Sequence, residues 1–432
     1  NMTRSDPSSN NDADASSRRW LPYRWELLGL LWIAFFLHQA DRQIYGNLIP
    51  LIQADLRLSD EQLGLVASVF TWVYGLMVPL AGYAGDVLRR KWILVISLLV
   101  WSAGTLLTGI SAGLLGLLLF RSIASGGGEA YYAPSANSLI TQFHDKTRAL
   151  AMSLHQTALY VGIIASFAAG YVGELYGWRS AFFVFGGFGI VWAAVMIWRV
   201  EDSGQPGQAA SEAASSRPPV ADVMREVFLR PTVLMLSLAF AGQVFVNVGY
   251  LTWMPTLLHR KFDLSVTYAG LAALSFHHAF AFVGVVLGGR ISDVLARRRR
   301  IVRMEFEYLG LLLAAPFIYL MGAASQFWLC CLGLSVFGLF RGVYDSNLFA
   351  APFEVIPARL RSSALGVMLS FAFLMGAFAP IVLARLAKNL GLDGAIASLA
   401  VVYVASAALV VVAAYTTFQR DAERASGTNN VD

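Results

Sequence analysis

The stretch LHQADRQIYG, residues 37–46, places Asp41 and Arg42 side by side in a segment that otherwise has the composition of a membrane-spanning helix. A charged side chain near the centre of a bilayer costs several kcal/mol, so such residues usually face the protein interior and mark a functional site. The stretch therefore predicts a bundle of membrane helices with a polar site inside it.

The composition of the whole chain agrees with a membrane protein. Of its 432 residues, 57% are hydrophobic and only 14% are charged, and the mean hydropathy is +0.60. Stretches of about 20 apolar residues can cross a hydrocarbon core of about 30 Å as helices. We therefore predict an all-α, multi-pass integral membrane protein with twelve spans, near 26–50, 62–83, 92–112, 114–138, 150–173, 179–199, 233–258, 268–290, 305–324, 326–350, 361–386 and 394–416.

A long non-apolar segment, residues 200–231, divides the spans into two groups of six. Its Gly, Pro, Ser and Ala residues are typical of a flexible linker, and VADVMREVFL after the prolines predicts a short amphipathic helix. The predicted organisation is thus a polar N-terminal tail (1–23), a six-helix bundle (24–199), the linker (200–231), a second six-helix bundle (232–418) and a C-terminal tail (419–432).

The net charge of +5 does not indicate nucleic acid binding, because the basic residues gather at alternate helix ends, as at 89–91 and 297–300. By the positive-inside rule these ends and both termini are cytoplasmic. The adjacent Cys330 and Cys331 have a spacing that suits neither a disulfide framework nor a metal site, so we expect small core residues and no metal.

The two halves repeat each other at matching points, which is typical of transporters with internal repeats. AGYAGDVLRRK (81–91) follows span two and GGRISDVLARRRR (288–300) follows span eight; Phe-Arg recurs in spans four and ten, and a proline ends spans one and seven. The glycines of these loops would let helices approach closely, and the charges could latch the halves in one state. The alternative is a basic loop that only sets topology. The predicted gate residues are Gly82, Asp86, Arg90, Gly289, Asp293 and Arg297.

Counting residues along spans one and four gives the depth of their charged side chains in the membrane. At 1.5 Å per residue, Asp41 lies about 14 Å, Arg121 about 10 Å and Glu129 about 22 Å below the outer surface. Asp41 and Arg42 point about 100° apart and must find other partners. We expect Asp41 and Glu129 to be protonatable, with Arg42 and Arg121 pairing either with them or with an anionic substrate group. The alternative is a permanent cluster that only fixes helix packing.

The second half carries a different set of charges. Arg341 and Asp345 of span ten are four residues apart and can pair along one helix face, with either a substrate role or a structural one. Other polar side chains at membrane depth are candidates for lining a cavity, and His38, one turn from Asp41, is a candidate proton relay. These candidates are His38, Tyr45, Asn47, Tyr131, Asn137, Gln156, Gln243 and Asn247.

The repeated loops and the six-plus-six layout resemble the major facilitator superfamily over residues 24–418. The acid–Arg pair of span one, GYAGD, WSAGT (101–105) and GGGEAYYAPSANSLI (126–140) resemble the Spinster family of lipid and lysolipid transporters, and GWRSAFFVFGGFGIVW (177–192) fits the anion:cation symporters equally well. The resemblance implies a monomer in the bacterial inner membrane with two pseudo-symmetric six-helix halves. It also implies proton coupling through Asp41, Arg42 and Glu129.

The expected function is a proton-coupled secondary transporter that moves a lipid-like or organic anionic substrate by alternating access. Because the sequence has no Walker-type ATP-binding loop, we expect the driving force to be a gradient, and the proton coupling that the resemblance implies makes it a proton gradient, with no cofactor. The alternative is a proton symporter of sugar acids or other organic anions. A membrane-embedded enzyme is the remote alternative, since the histidines are scattered and the acids accompany arginines.

Overall fold

The computed structural model describes residues 22–144, 147–201, 220–357 and 360–427, and this part of the chain is helical with no strand. Within these ranges we number twelve spans. They are α1 Tyr23–Leu56, α2 Asp60–Val87, α3 Arg90–Thr108, α4 from Leu114–Gly116 through Leu117–Ser125 and Gly126–Glu129 to Tyr132–Phe143, α5 Arg148–Tyr176, α6 Trp178–Arg199, α7 Pro231–Phe262, α8 Val266–Ala296, α9 Val302–Ala323, α10 Phe327–Asp345 with Ala350–Val355, α11 Arg361–Gly376 with 379–390, and α12 392–412.

Length and apolar composition alone mark eight helical stretches of the described chain as able to cross a membrane. The last of these joins α11 and α12 across a kink at Gly391, where φ is 71° and a side chain would be strained. Three spans are not marked by these criteria: α1, which carries the buried charges, α4, which is built from short helical pieces, and α5. All twelve predicted spans thus correspond to helices of the structure.

The internal repeat is visible in the backbone where α1 and α7 end. Both helices contain a proline, Pro50 and Pro255, and both end on a non-glycine residue in the left-handed conformation, Arg57 and Asp263, each with φ 52°. Two residues later a serine caps the next helix; the Ser59 side chain accepts a hydrogen bond from the backbone N–H of Gln62, and the Ser265 side chain does the same for Tyr268. The same helix–turn–helix unit therefore opens each half.

Helices α1–α6 form one half and α7–α12 the other, and the halves meet along α1, α2 and α5 on one side and α7, α8 and α11 on the other. The short helix Val220–Leu229 lies between the halves in sequence and packs against α7 and α11. We call the side where α1 begins at Tyr23 the terminal face, and the side where it ends at Leu56 the far face.

The halves are in close contact towards the far face. A Cβ atom at Gly46 would lie 2.7 Å from the Leu251 carbonyl oxygen, and one at Gly64 would lie 2.7 Å from the Pro380 carbonyl oxygen. Only glycine allows the two backbones to approach this closely. These contacts close the far side of the interface between the halves.

Ion pairs between the halves lie at the same face. Arg260 of α7 donates to both carboxylate oxygens of Asp60 in α2, at 2.7 and 3.0 Å, and also to Gln53 of α1. Glu61 lies 3.1 Å from the Lys388 ammonium and 3.8 Å from the Arg385 guanidinium of α11. The structure is therefore latched at the far face.

The predicted gate residues at the terminal face bind within their own half or are exposed. Arg90 donates to Gln142 at 3.0 Å, Asp293 pairs with Arg303 at 3.2 Å, and Arg297 is exposed. The prediction that Gly82 and Gly289 mark close helix contacts is wrong for this conformation. A Cβ at Gly82 would meet nothing within 4 Å and one at Gly289 would meet only Ser346 at 3.8 Å. The close contact of α8 with α10 in this region is at the neighbouring Gly288, where a Cβ would lie 2.8 Å from the Ser346 hydroxyl. The side chain of Asp86 lies outside the described residues.

Candidate functional site

A central cavity of about 280 Å³ lies between the two halves. Helices α1, α2, α4 and α5 line it from one half, and α7, α8, α10 and α11 line it from the other. Apolar and aromatic side chains form much of the wall, as expected of a small-molecule site with a few polar groups that orient a ligand. The charged and polar residues lining it include Gln39, Arg42, Gln43, Thr71, Arg121, Asn247, Thr252, His278, Arg341 and Asp345.

Asp41 and Arg121 form a tight pair in which both side chains are almost fully buried. One guanidinium nitrogen of Arg121 lies 2.6 Å from a carboxylate oxygen of Asp41, and the other donates to the Asp41 backbone oxygen at 3.0 Å. The Thr105 hydroxyl donates to the second carboxylate oxygen at 2.8 Å. Asp41 thus has three hydrogen bonds, and the Arg121 guanidinium also lies over the Phe70 ring at 4.6 Å.

Arg42 and Glu129 form a second and looser pair. The Arg42 Nε donates to Glu129 Oε2 at 2.9 Å, and its guanidinium lies 4.1 Å from the centroid of the Tyr74 ring. The Glu129 side chain is fully buried, while that of Arg42 is 22% exposed. The other carboxylate oxygen, Oε1, has no hydrogen-bond partner among the described residues. His38 Nε2 lies 3.7 Å from Glu129 Oε2, beyond hydrogen-bond distance, so the close contact of this carboxylate is with Arg42, which reaches the cavity.

Local features of α4 bring these charges to α1. Leu117–Ser125, which contains Arg121, is π-helical, and such segments are frequent at functional sites. The glycines that follow permit tight packing on both sides, since a Cβ at Gly126 would lie 2.8 Å from the Phe70 carbonyl oxygen and one at Gly128 2.7 Å from the Trp101 nitrogen. The segment stays helical through Gly126–Glu129. The glycine run thus seats α4 between α2 and α3, so that Glu129 faces α1.

The arginines line the cavity, whereas Asp41 and Glu129 lie behind them. Arg42 and Arg121 are lining residues, and among the described residues that line the cavity the acidic side chain is Asp345. A ligand entering the cavity would therefore meet guanidinium groups before it met the two carboxylates of the first half. This arrangement favours an anionic ligand group.

Arg341 and Asp345 face the cavity from the second half. The Arg341 Nε lies 3.3 Å from Asp345 Oδ2, and the Gln243 amide donates to the other oxygen, Oδ1, at 3.3 Å. An arginine nitrogen of Arg341 also donates to His277 Nε2 at 2.8 Å. The sequence pointed to the Arg341–Asp345 pair, but not to His277 as its partner.

Some of the predicted lining residues lie at the cavity, and others lie nearer one of the two faces or behind the cavity wall. Tyr45 and Asn247 line the cavity, and Gln243 reaches it only through Asp345. His38 and Asn47 are not among the residues that line this cavity. His38 Nε2 lies 3.3 Å from the Glu129 backbone oxygen and 3.7 Å from Glu129 Oε2, so its role as a proton relay stays a prediction. Asn47 packs against Gly270 at the closed far face. Tyr131, Asn137 and Gln156 are likewise not among the described residues of this cavity, since they lie nearer the terminal face.

Sequence reasoning missed two kinds of contact at this site. Thr105, which holds Asp41, lies in the WSAGT stretch, but a threonine in an apolar helix gives no sign of its direction. Phe70 and Tyr74 of α2 support the arginine planes, and nothing distinguishes them in the sequence from other aromatic residues of a membrane helix.

Comparison with known proteins identifies the family to which the chain is similar. The family model described as Major Facilitator Superfamily matches residues 31–306. A D-galactonate transporter of Escherichia coli is 26% identical, with 96% of this chain and 98% of that protein covered. SauU of Cupriavidus necator, named as a probable sulfoacetate transporter, is 26% identical, with 85% of this chain and 88% of that protein covered.

Solved structures resemble the fold over nearly its whole length. The crystal structure of a bacterial homologue of the human lysosomal transporter Spinster, described as inward-facing and unoccupied, superposes with a TM-score of 0.81 at 23% identity. The match covers 93% of this chain and 98% of the other. At this identity the likeness establishes the fold alone.

Proposed function

The chain belongs to the Major Facilitator Superfamily, and on that premise we propose that it is a proton-coupled symporter of a small organic anion. That it is a secondary transporter, a multi-pass membrane protein and not an enzyme follows from the family. The substrate class, the proton coupling and the orientation are the proposal. The observation that carries it is a cavity between the halves with arginines on its wall and carboxylates buried behind them.

The cavity supports a small anionic substrate. Arg42, Arg121 and Arg341 supply guanidinium groups, which match carboxylate and sulfonate oxygens in geometry and charge. Its volume of about 280 Å³ lies just below the range of about 300–1,000 Å³ for small-molecule sites, which suits a small substrate. The names of the D-galactonate and sulfoacetate transporters describe compact anions of this kind.

A lipid-like substrate, which the sequence left open beside an organic anion, is supported less well. A lysolipid carries an acyl chain that needs a long apolar cavity, and this cavity is compact and lined by three arginines. The Spinster structure shares the fold at an identity too low to transfer a substrate. We therefore prefer the organic anion.

Substrate binding and proton binding are coupled because the substrate anion and Glu129 compete for Arg42. An anionic group that takes the Arg42 guanidinium leaves the Glu129 carboxylate buried, with one oxygen already lacking a hydrogen bond. An unpaired buried charge is costly, and a carboxylate avoids the cost by taking up a proton. Substrate and proton therefore bind together. Asp41, held by three hydrogen bonds, becomes a second proton site only in a state where Arg121 has moved away.

Alternating access follows from the arrangement of the two halves. The contacts at Gly46 and Gly64 and the Arg260–Asp60 pair close the far face. With the basic loops on the cytoplasmic side, the terminal face and both termini are cytoplasmic and this conformation is inward-facing. Opening the far face requires the latch to break and the halves to rock about the cavity. On the resemblance to this family we also propose a monomer in a bacterial inner membrane.

The proposal is tested with purified protein in liposomes that contain a pH-sensitive dye. Sugar acids, sulfoacetate and short carboxylates are added outside and compared with lysolipids. We expect an anion-dependent proton influx that is lost in Glu129→Gln and in Asp41→Asn but retained in Glu305→Gln, a matched change in an exposed ion pair. A flux driven by lysolipids would reverse the substrate assignment, and anion uptake without protons would remove the coupling.

A further inference from the structure

We propose that Arg341 and Asp345 form a second anion subsite in the half opposite Arg42, so that the transported substrate is a dianion with an acidic group at each end. This inference rests on the proposed function and names the substrate class within it. Both residues line the same cavity as Arg42 and Arg121, from the other side of the interface.

The Arg341 guanidinium is positioned but only partly satisfied. His277 Nε2 accepts a hydrogen bond from it at 2.8 Å, so this ring nitrogen carries no hydrogen and His277 is neutral. Nε of Arg341 is buried, lies 3.3 Å from Asp345, and has no well-directed hydrogen bond among the described residues. An arginine that is anchored at one nitrogen and poorly paired at another is suited to receive an anion.

The contrast with the Asp41–Arg121 pair supports a ligand role over a structural one. Arg121 reaches its carboxylate at 2.6 Å, donates a second hydrogen bond to the backbone, and is almost fully buried. Asp345 instead has contacts of 3.3 Å from both Arg341 and Gln243, and its side chain is 25% exposed. The second pair therefore resembles Arg42–Glu129, the pair that opens for the substrate.

The dimensions of the cavity suit a short two-headed anion. If compact, a cavity of this volume is about 8 Å across. One acidic group on Arg42 and one on Arg341 would join the two halves through the substrate. Displacement of Asp345 from Arg341 would leave its carboxyl to take up a second proton, with the Gln243 amide as a remaining partner. Protons on Glu129 and Asp345 then compensate the two negative charges of the substrate, and coupled transport of the dianion requires both protons.

The test compares dianions with monoanions of almost the same shape. Succinate, glutarate and sulfoacetate are each paired with the monoamide that lacks one charge, and binding to purified protein is followed by calorimetry with proton uptake. We expect at least one dianion to bind about tenfold or more tightly than its monoamide. Arg341→Gln should abolish this preference because it weakens dianion binding far more than monoamide binding, whereas Arg299→Gln, at an exposed ion pair, should alter neither affinity.

Two further variants protect the test against loss of folding. The double variant Arg341→Gln/Asp345→Asn leaves no unpaired charge and should show the same lost preference. Asp345→Asn alone should keep dianion binding and lose the second proton. Equal binding of dianions and monoamides by the wild type, or an equal loss of both in Arg341→Gln, would overturn the inference and leave the proposed function standing. If no anion binds in either form, the proposed function itself fails.

Discussion

Replacing Arg121 should destabilise the protein more than replacing Arg42. Arg121→Gln removes two of the three hydrogen bonds of Asp41 and leaves a buried carboxylate with Thr105 as its remaining described partner. Breaking a buried ion pair by removing one partner costs about 3–5 kcal/mol. Arg42 donates a single hydrogen bond to Glu129, and the carboxylate that Arg42→Gln leaves unpaired can take up a proton. This variant should therefore cost about 1.5–3 kcal/mol, the value of one charged hydrogen bond.

The assay is reversible unfolding in mixed micelles with increasing SDS, followed by far-UV circular dichroism. Each arginine variant is compared with a double variant that also neutralises the acid, Arg121→Gln/Asp41→Asn and Arg42→Gln/Glu129→Gln. The double variants should recover much of the lost stability, with the larger coupling free energy for the Asp41–Arg121 pair. A larger coupling for Arg42–Glu129, or no recovery in either double variant, would refute the assignment of a fixed pair and an exchanging pair.

Three other predictions concern the conformational latch and the site. Arg260→Gln removes both hydrogen bonds to Asp60 and should raise labelling of a cavity cysteine from the far side; unchanged labelling would show that this pair does not hold the face closed. Gly64→Ala should block far-face closure because its Cβ would lie 2.7 Å from a carbonyl oxygen, whereas Gly82→Ala on the same helix meets nothing within 4 Å and should be neutral in transport and labelling. Thr105→Val removes one hydrogen bond from Asp41 and should cost about 1–3 kcal/mol in the SDS assay; no loss would mean that the hydroxyl does not support the carboxylate.

The helices and the charge cluster could be predicted because membrane depth is nearly a linear function of residue number. A hydrocarbon core fixes the length of each span, and 1.5 Å per residue places Asp41 and Arg121 at a similar height. The sequence repeat at Pro50 and Pro255 is also present in the backbone, where the two helices that contain these prolines end in the same turn.

The direction of a side chain around its helix could not be predicted in the same way. His38 and Asn47 have suitable depth, but they face the Glu129 backbone and the closed interface. The π-helical segment around Arg121 changes the direction in which the side chains of α4 point, and the local composition does not predict such a segment. The open space around Gly82 belongs to this conformation of the two halves. The sequence does not specify which conformation the structure shows.

The most direct test of the account is substrate exchange by Glu129→Gln in liposomes without a pH gradient. Glutamine mimics the protonated acid and leaves Arg42 free to bind the anion. We predict that the variant retains counterflow of labelled organic anion across the membrane and loses uphill accumulation driven by protons. Loss of counterflow in a correctly folded variant would show that Glu129 is a structural partner of Arg42, and retention of proton-driven accumulation would show that the proton binds elsewhere.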